Sequence, residues 1–273
     1  MKIIGVIPAR YESTRLPGKP LADICGKPMI WWVWMHSKRV GCFEDVYIAT
    51  DDKRIKIVAE DFGANVIMTS KNCSTATERL YEVSCKISAD LYVMINGDEP
   101  LVKDTDIIKC IPQELDITKF YVSNLMTDFL DPVEVIDPTN LKIVTNDDGI
   151  CIFISRSPIP YPKGDMNYAY HKFVGVGAFT NEALRYYHNT NPGKLEKIEE
   201  NDSFRFIENR KDVYCINAHC NNLSVDTLKD LNRVREVLDR KKGGGGRSPK
   251  CKRVFSTTNL IESDIIEGVC ECG

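Results

Sequence analysis

Short apolar runs alternate with longer amphipathic segments along the first part of the chain. The apolar runs have the length of buried strands and lie at 2–8, 46–49, 65–68 and 90–95. The amphipathic segments predict helices over 28–40, 53–62 and 76–88. This repetition predicts right-handed crossovers and a mostly parallel α/β sheet. Such sheets bind ligands beyond the carboxyl ends of their strands, which directs attention to the loops at 8–20 and 96–100.

The second half is richer in strand patterns. Strands are predicted at 141–145, 150–154, 173–179 and 213–217, with the turn sequence Asn-Asp-Asp-Gly joining the first two into a hairpin. Helical patterns occupy 180–190, pieces of 195–209, and 227–242. Four consecutive glycines then begin a flexible linker, so we predict one domain over 1–242 and a separate linker and tail over 243–273.

Composition narrows the classes of function. The chain has 273 residues and a net charge of −3, from 36 basic and 39 acidic side chains, which argues against a general nucleic-acid binder. Its 11 cysteines include no Cys-x-x-Cys pair, so we predict no zinc site and reduced thiols in a cytoplasmic protein. We find no signal-peptide pattern and no apolar run long enough to cross a membrane.

A basic loop follows the first strand. The sequence Pro-Ala-Arg-Tyr-Glu-Ser-Thr-Arg-Leu-Pro-Gly-Lys-Pro-Leu places Arg10, Arg15 and Lys19 close together, and Gly18 permits close approach of a ligand. A solvated basic loop is the alternative, but the position after the first strand of a parallel sheet favours phosphate binding. The loop matches neither GxxxxGK[ST] nor GxGxxG, which disfavours NAD-dependent chemistry.

Two aspartates are candidate metal ligands. Asp98 lies in Asn-Gly-Asp-Glu-Pro, directly after an apolar strand, where a carboxylate suits Mg²⁺ shared with phosphates; an ordinary turn aspartate is the alternative. Asp226 lies in Ser-Val-Asp-Thr at the start of the last helix, and taken locally it is better explained as a helix N-cap.

In chain order, PARYESTRLPGKPLADICGKPMI, ATDD, TATERL, NGDEP and SVDTLKDLNRV resemble the CMP-Kdo synthetase (3-deoxy-manno-octulosonate cytidylyltransferase) family over about residues 2–240. The resemblance implies the nucleotide-diphospho-sugar transferase fold, a Rossmann-like α/β domain with a mixed, mostly parallel sheet and a smaller β-rich part for dimerisation and sugar binding. It also implies a homodimer with Mg²⁺ as cofactor, which couples CTP to Kdo and releases a CMP-sugar and pyrophosphate.

The resemblance also implies roles for individual residues. Catalytic roles fall on Arg10, Lys19, Asp98 and Asp226, with Asp98 and Asp226 holding Mg²⁺. The implied nucleotide-binding residues are Pro8, Ala9, Arg10, Arg15, Lys19, Thr50, Cys73, Thr77, Arg79 and Asp98. The implied acceptor-binding residues are Arg156, Lys172, Asp202 and Ser203.

The acceptor half departs from the family pattern. Phe173 and Gly177 stand where the family usually has histidine and tyrosine, and Ser203 stands where glutamine is usual. Another acidic acceptor is therefore the alternative: a different 2-keto sugar acid, an aminated Kdo or a phosphonate. A second class of function is a nucleotide-binding relative without catalysis, against which the intact basic loop and both aspartates weigh.

Overall fold

The structure is a computed structural model that describes residues 1–13, 15–220 and 222–242. Its strands are β1 (Ile3–Ala9), β2 (Asp23–Ile24), β3 (Lys27–Pro28), β4 (Asp45–Thr50), β5 (Asn65–Met68), β6 (Leu91–Ile95), β7 (Val122–Asp128), β8 (Lys142–Thr145), β9 (Cys151–Ser155), β10 (His171–Thr180) and β11 (Tyr214–Asn217). Its α-helices are α1 (Met29–Ser37), α2 (Lys53–Asp61), α3 (Ala76–Lys86), α4 (Asp104–Ile107), α5 (Pro132–Ile136), α6 (Asn181–Asn189), α7 (Lys194–Glu199), α8 (Phe204–Ile207) and α9 (Leu228–Lys242).

One large sheet has the strand order β11-β7-β10-β6-β1-β4-β5. The strand pairs β1/β4, β1/β6, β4/β5 and β7/β11 are parallel, whereas β10 runs antiparallel to both β6 and β7. The β8–β9 hairpin extends this sheet from β10. The predicted mixed, mostly parallel α/β fold is confirmed.

Helices cover both faces of this sheet. One face packs Ile7, Val33 and Ile55 into a core with α1, α2 and α4. The other packs Leu80 and Leu184 into a core with α3, α6 and α8. The strands at the centre are buried on both faces, which explains why they read as continuous apolar runs rather than alternating ones.

A third, smaller core fixes the position of the last helix. Ile24, Met29 and Trp32 pack against Leu231 and Val234, which joins α9 to α1 and the short β2–β3 hairpin. Through this contact the chain segment before α9 returns to the carboxyl end of the sheet.

The structure corrects three details of the sequence expectation. Helix α1 was predicted over 28–40 but ends at Ser37, and Pro28 is its N-cap residue rather than its first helical residue. The Leu-Ser-Val sequence before Asp226 predicts a short strand that Val225 closes, but the described residues form no strand there; instead the backbone N–H of Val225 donates to the carbonyl of Asp98 at 2.9 Å. Strand β7 was not predicted at all. The predicted tail at 243–273 lies outside the described residues, in which no helix is long and apolar enough to span a membrane.

Candidate active site

A cleft of about 1150 Å³ opens at the carboxyl end of the central strands. Strands β1 and β6 are parallel neighbours, so the basic loop and the Asn-Gly-Asp-Glu-Pro loop that follow them meet at one edge. All but two of the predicted site residues line the cleft: Pro8, Ala9, Arg10, Arg15, Lys19, Cys73, Arg79, Asp98, Arg156, Lys172, Asp202, Ser203 and Asp226.

Lys19 joins the two predicted metal carboxylates. Its Nζ lies 2.6 Å from Oδ2 of Asp98 and 3.3 Å from Oδ1 of Asp226, and Arg15 Nη2 lies 3.3 Å from the same Asp226 oxygen. Burial disfavours a charged lysine, but the two carboxylates outweigh it and raise the pKa of Lys19 above its usual value. Lys19 is therefore a permanent cation between two anions.

Asp226 is free for this contact because other residues cap the helix. Thr227 Oγ1 accepts from the backbone N–H of Asp230, while the Asp230 carboxylate accepts from the backbone N–H of Thr227 at 2.8 Å. This is a capping box, with Thr227 rather than Asp226 as the cap. The N-cap alternative for Asp226 is thus wrong, and its carboxylate points to Lys19.

Glu99, which sequence reasoning passed over, ties the site loops together. Its buried carboxylate accepts from the backbone N–H of Gly175 at 2.9 Å, Ser224 Oγ at 2.8 Å and Asn222 Nδ2 at 2.5 Å. Burial and the neighbouring Asp98 raise the pKa of Glu99 to about 7. One sign of this role is visible in the sequence, an acidic residue next to Asp98. The three groups that donate to Glu99 come from distant segments of the chain, so no local pattern shows them.

Glu99→Gln is expected to lower the free energy of unfolding by about 1–3 kcal/mol. The amide would turn an NH₂ group toward buried donors, leaving at least one of them unsatisfied. Urea denaturation followed by circular dichroism measures the change. Glu114→Gln at an exposed position is the matched control, and equal stability of both variants would contradict a structural role for Glu99.

The residues predicted to bind the nucleotide differ in exposure and in their hydrogen bonds. Arg10 is exposed at the end of β1, whereas Arg79 is buried, hydrogen-bonded to Thr69 and 3.6 Å from Asp51. For Cys73, burial and a hydrogen bond to Glu82 raise the pKa of the thiol to about 11, so it is neutral and not a nucleophile.

Two predicted nucleotide residues lie beneath the cleft rather than along it. Thr50 is fully buried at the end of β4, where its Oγ1 accepts from the backbone N–H of Asp52 at 3.2 Å. Thr77 is buried in the first turn of α3 and donates through Oγ1 to Asp202 at 2.7 Å. Both side chains are therefore hydrogen-bonded within the protein and do not line the cleft.

The acceptor side centres on two cations. Arg156 donates to the carbonyls of Glu199 and Pro138, each at 3.1 Å, which fixes its side chain between two loops. Lys172 is only 5% exposed and lines the cleft, and its side-chain ammonium has no hydrogen bond or ion pair to any of the described residues. An ammonium group at the cleft wall with no protein partner can receive an anionic ligand.

A buried ionic network supports this side and was not anticipated from the sequence. Arg205 pairs with Glu196 at 2.9 Å and 2.5 Å and stacks on the ring of Tyr187 at 3.8 Å. Tyr187 Oη in turn lies 2.9 Å from Thr75 Oγ1, at the start of α3. The network links α8 to the nucleotide side and places Ser203, whose backbone precedes α8, at the cleft.

Two glycines on β10 leave little room for a side chain, and one of them, Gly177, is a departure from the family pattern. A Cβ on Gly175 would lie 2.6 Å from Asn96 Nδ2, and a Cβ on Gly177 would lie 2.5 Å from the carbonyl oxygen of Ser123. The strand register shifts between Phe173 and Gly177, so this stretch presses against β7 and the Glu99 loop. A larger side chain at Gly177 would require the backbone to move.

Asp98 and Asp226 fit a shared divalent cation, because their oxygens already converge on one ammonium nitrogen. No cluster of three or more His, Cys, Asp or Glu suited to a metal exists within the described parts of the chain. Mg²⁺ is commonly held by one or two carboxylates with the remaining ligands from phosphates and water. The donor set therefore fits Mg²⁺ brought together with a nucleotide.

Comparisons with known proteins agree with this geometry. The family model described as cytidylyltransferase matches residues 4–218. The 3-deoxy-manno-octulosonate cytidylyltransferase of Aliivibrio fischeri (strain MJ11) is 38% identical over 251 residues, covering 88% of this chain and all of the relative. The chain belongs to the CMP-Kdo synthetase family of cytidylyltransferases.

Further members of the CMP-Kdo synthetase family support the assignment. The Escherichia coli 3-deoxy-manno-octulosonate cytidylyltransferase is 34% identical over 237 residues, covering 87% of this chain and 96% of the relative. A solved CMP:2-keto-3-deoxy-manno-octonic acid synthetase in complex with CTP superposes with a TM-score of 0.81 at 33% identity, covering 88% of this chain and all of that one. The protein is a CTP-dependent nucleotidyltransferase.

Proposed function

We propose that this enzyme transfers the cytidylyl group of CTP to Kdo in a Mg²⁺-dependent reaction that yields CMP-Kdo and pyrophosphate. The observation that supports it most directly is the convergence of Lys19, Asp98 and Asp226 in a cleft that Lys172 also lines. The relatives described above act on 3-deoxy-manno-octulosonate by name.

Different side chains would bind the phosphates, the metal ion and the cytidine. Arg10, Arg15 and Lys19 would hold the β- and γ-phosphates as the bond to the α-phosphorus breaks, stabilising charge on the leaving pyrophosphate. Asp98 and Asp226 would hold Mg²⁺, which when bound neutralises phosphate oxygens and lowers the pKa of the acceptor hydroxyl. Arg79, Cys73 and the backbone of Pro8 and Ala9 would bound the cytidine pocket.

The acceptor assignment depends on the anion of the sugar. Lys172 would receive the carboxylate of Kdo, and Arg156, Asp202 and Ser203 would bound the sugar. Lys172 has no carboxylate partner among the described side chains, so a ligand carboxylate would satisfy it without displacing another contact. A different acidic acceptor, with a carboxylate or phosphonate in the same place, is the alternative that this geometry allows.

A panel of acceptors separates these possibilities. Purified enzyme with CTP and Mg²⁺ is incubated separately with Kdo, another 2-keto sugar acid, an aminated Kdo and a small phosphonate, and pyrophosphate release is measured. We expect the highest kcat/KM with Kdo. Inert Kdo together with turnover of another acid would overturn the Kdo assignment while leaving cytidylyl transfer in place.

Lys172→Met is expected to raise KM for Kdo about ten-fold or more, because hydrogen bonds to charged groups contribute about 1.5–3 kcal/mol. KM for CTP should stay within about two-fold. The exposed Lys119 provides the control Lys119→Met, with its side chain 77% exposed. The methyl ester of Kdo should be a poor substrate of the wild type. The ratio of kcat/KM for Kdo to kcat/KM for its methyl ester should be smaller in Lys172→Met than in the wild type. An unchanged ratio would contradict the role of Lys172.

We also propose a homodimer in the cytoplasm. Three exposed apolar side chains lie together on and beside α5: Leu130, Val133 and Ile136, each at least 67% exposed. Their exposure supports burial against a second subunit. Eight free cysteines among the described residues are consistent with a reducing compartment.

A further inference from the structure

Tyr11 and Arg54 form a contact on the outer side of the basic loop. The guanidinium carbon of Arg54 lies 3.3 Å from the centre of the Tyr11 ring, the geometry of a cation–π stack. Neither residue is among those described as lining the cleft. The pair therefore contacts the basic loop outside the cleft.

Arg54 is held in one orientation by Asp52. Its Nε and Nη2 donate to the two carboxylate oxygens at 3.0 Å and 2.6 Å, and its backbone N–H donates to Oδ1 at 2.8 Å. These hydrogen bonds, chiefly those from the Arg54 side chain, hold the pKa of Asp52 below its usual value. Because the Asp52 backbone is bonded to Thr50 at the end of β4, the stack is anchored to the strand beside β1.

Tyr11 in turn determines the shape of the loop. Its carbonyl accepts from the backbone N–H of Gly18 at 3.0 Å, which brings the two ends of the loop together. Gly18 has φ of 69°, and a Cβ there would lie 3.1 Å from the Tyr11 hydroxyl oxygen. The positive φ and the close Tyr11 ring favour glycine at this position, and the next residue is Lys19, which reaches Asp98.

We propose that Arg54 and Tyr11 are positioning residues for the CTP phosphates. Their stack holds the loop so that Lys19 and Arg15 are in place before the nucleotide binds, which reduces the ordering cost of binding. The inference rests on the phosphate-binding role given above to the loop. It also assigns a function to the Ala-Thr-Asp-Asp motif, whose Thr50 and Asp52 support the stack rather than the base.

Arg54→Leu is expected to raise both KM and Kd for CTP about two- to five-fold, the range of an exposed cation–π contact. The value of kcat should change less than two-fold, because the contact is the same in the ground and transition states. Arg54→Lys should show the same rise, since lysine offers neither a planar fork nor a stacking face. Tyr11→Phe keeps the ring and should bind CTP as the wild type does.

A double-mutant cycle gives the sharpest result. Arg54→Leu combined with Tyr11→Leu should weaken CTP binding no more than the larger single change, because either change removes the same contact. Lys56→Leu, which removes a partly exposed cation of the same helix that does not contact the basic loop's Tyr11, is the matched control. Calorimetric CTP binding without acceptor provides the Kd, and circular dichroism confirms folding.

Three results would overturn the proposal: wild-type affinity in Arg54→Leu, full rescue by Arg54→Lys, or additive effects in the double variant. The second would mean that only the charge of Arg54 matters. Wild-type enzyme that does not bind CTP would instead contradict the proposed function of the loop. Inert Kdo would leave this test unaffected, because the binding measurement uses CTP alone.

Discussion

Asp98→Asn is expected to lower kcat by about a hundred- to a thousand-fold, the range for loss of one preorganised electrostatic group. Asparagine keeps the size of the side chain and can still accept from Lys19, but it removes the charge that would hold Mg²⁺ with Asp226. We therefore expect a folded protein in which the residual activity requires more Mg²⁺. Pyrophosphate release measured across a Mg²⁺ titration gives both quantities.

Asp148→Asn is the control for this change, since Asp148 is an exposed acid in the β8–β9 turn. Its kinetics should match those of the wild type. Full activity of Asp98→Asn at every Mg²⁺ concentration would contradict the assignment of Asp98 as a metal ligand. Unfolding of the variant would leave Asp226→Asn as the equivalent test, because Asp226 reaches the same Lys19 ammonium from a different segment.

Lys19→Met is expected to lower kcat/KM for CTP by about a hundred-fold or more. The substitution removes a phosphate-binding cation and leaves two carboxylates facing each other without it. Lys19→Arg should not restore activity, because a planar fork cannot replace a compact ammonium between two carboxylates. Steady-state kinetics with varied CTP and saturating acceptor measures the loss.

The matched control for this second change is Lys38→Met. Lys38 also pairs with an aspartate, Asp45 at 3.5 Å, but it lies on the surface outside the cleft. Its kcat/KM should be unchanged. If Lys19→Met retained wild-type kinetics as well, the basic loop would not be the phosphate site.

The meeting of the basic loop with Asp98 was predictable from the sequence. Apolar runs marked β1 and β6, and each run ended in a loop of unusual composition. Parallel pairing of adjacent strands then places both loops at one edge, as the structure has it. The local hydrophobic pattern, together with the rule that parallel strands end at one edge of the sheet, was sufficient to predict that these two loops meet.

The position of Asp226 was not predictable from local pattern. Its segment reaches the site only because α9 packs on α1 through residues such as Trp32 and Leu231, which are far apart in sequence. The local rule favoured an N-cap, and the capping box of Thr227 and Asp230 took that role instead. Only the family resemblance indicated Asp226.

Strand β7 was missed because its buried positions include polar side chains. Ser123, Asn124 and Thr127 are buried, and each donates to a backbone carbonyl: those of Cys110, Val174 and Cys220, respectively. Such distant acceptors satisfy polar groups inside a core. A hydrophobic pattern cannot reveal them, because the compensating groups belong to other segments.

We propose that this cleft transfers the cytidylyl group of CTP to Kdo. Parallel reactions with CTP radiolabelled at the α-phosphorus or at the γ-phosphorus test the claim directly. The α-label should appear in a CMP-sugar only when Kdo and Mg²⁺ are present, and the γ-label should appear in pyrophosphate. A γ-label found on the sugar, or α-label released as free CMP without sugar adduct, would contradict the account.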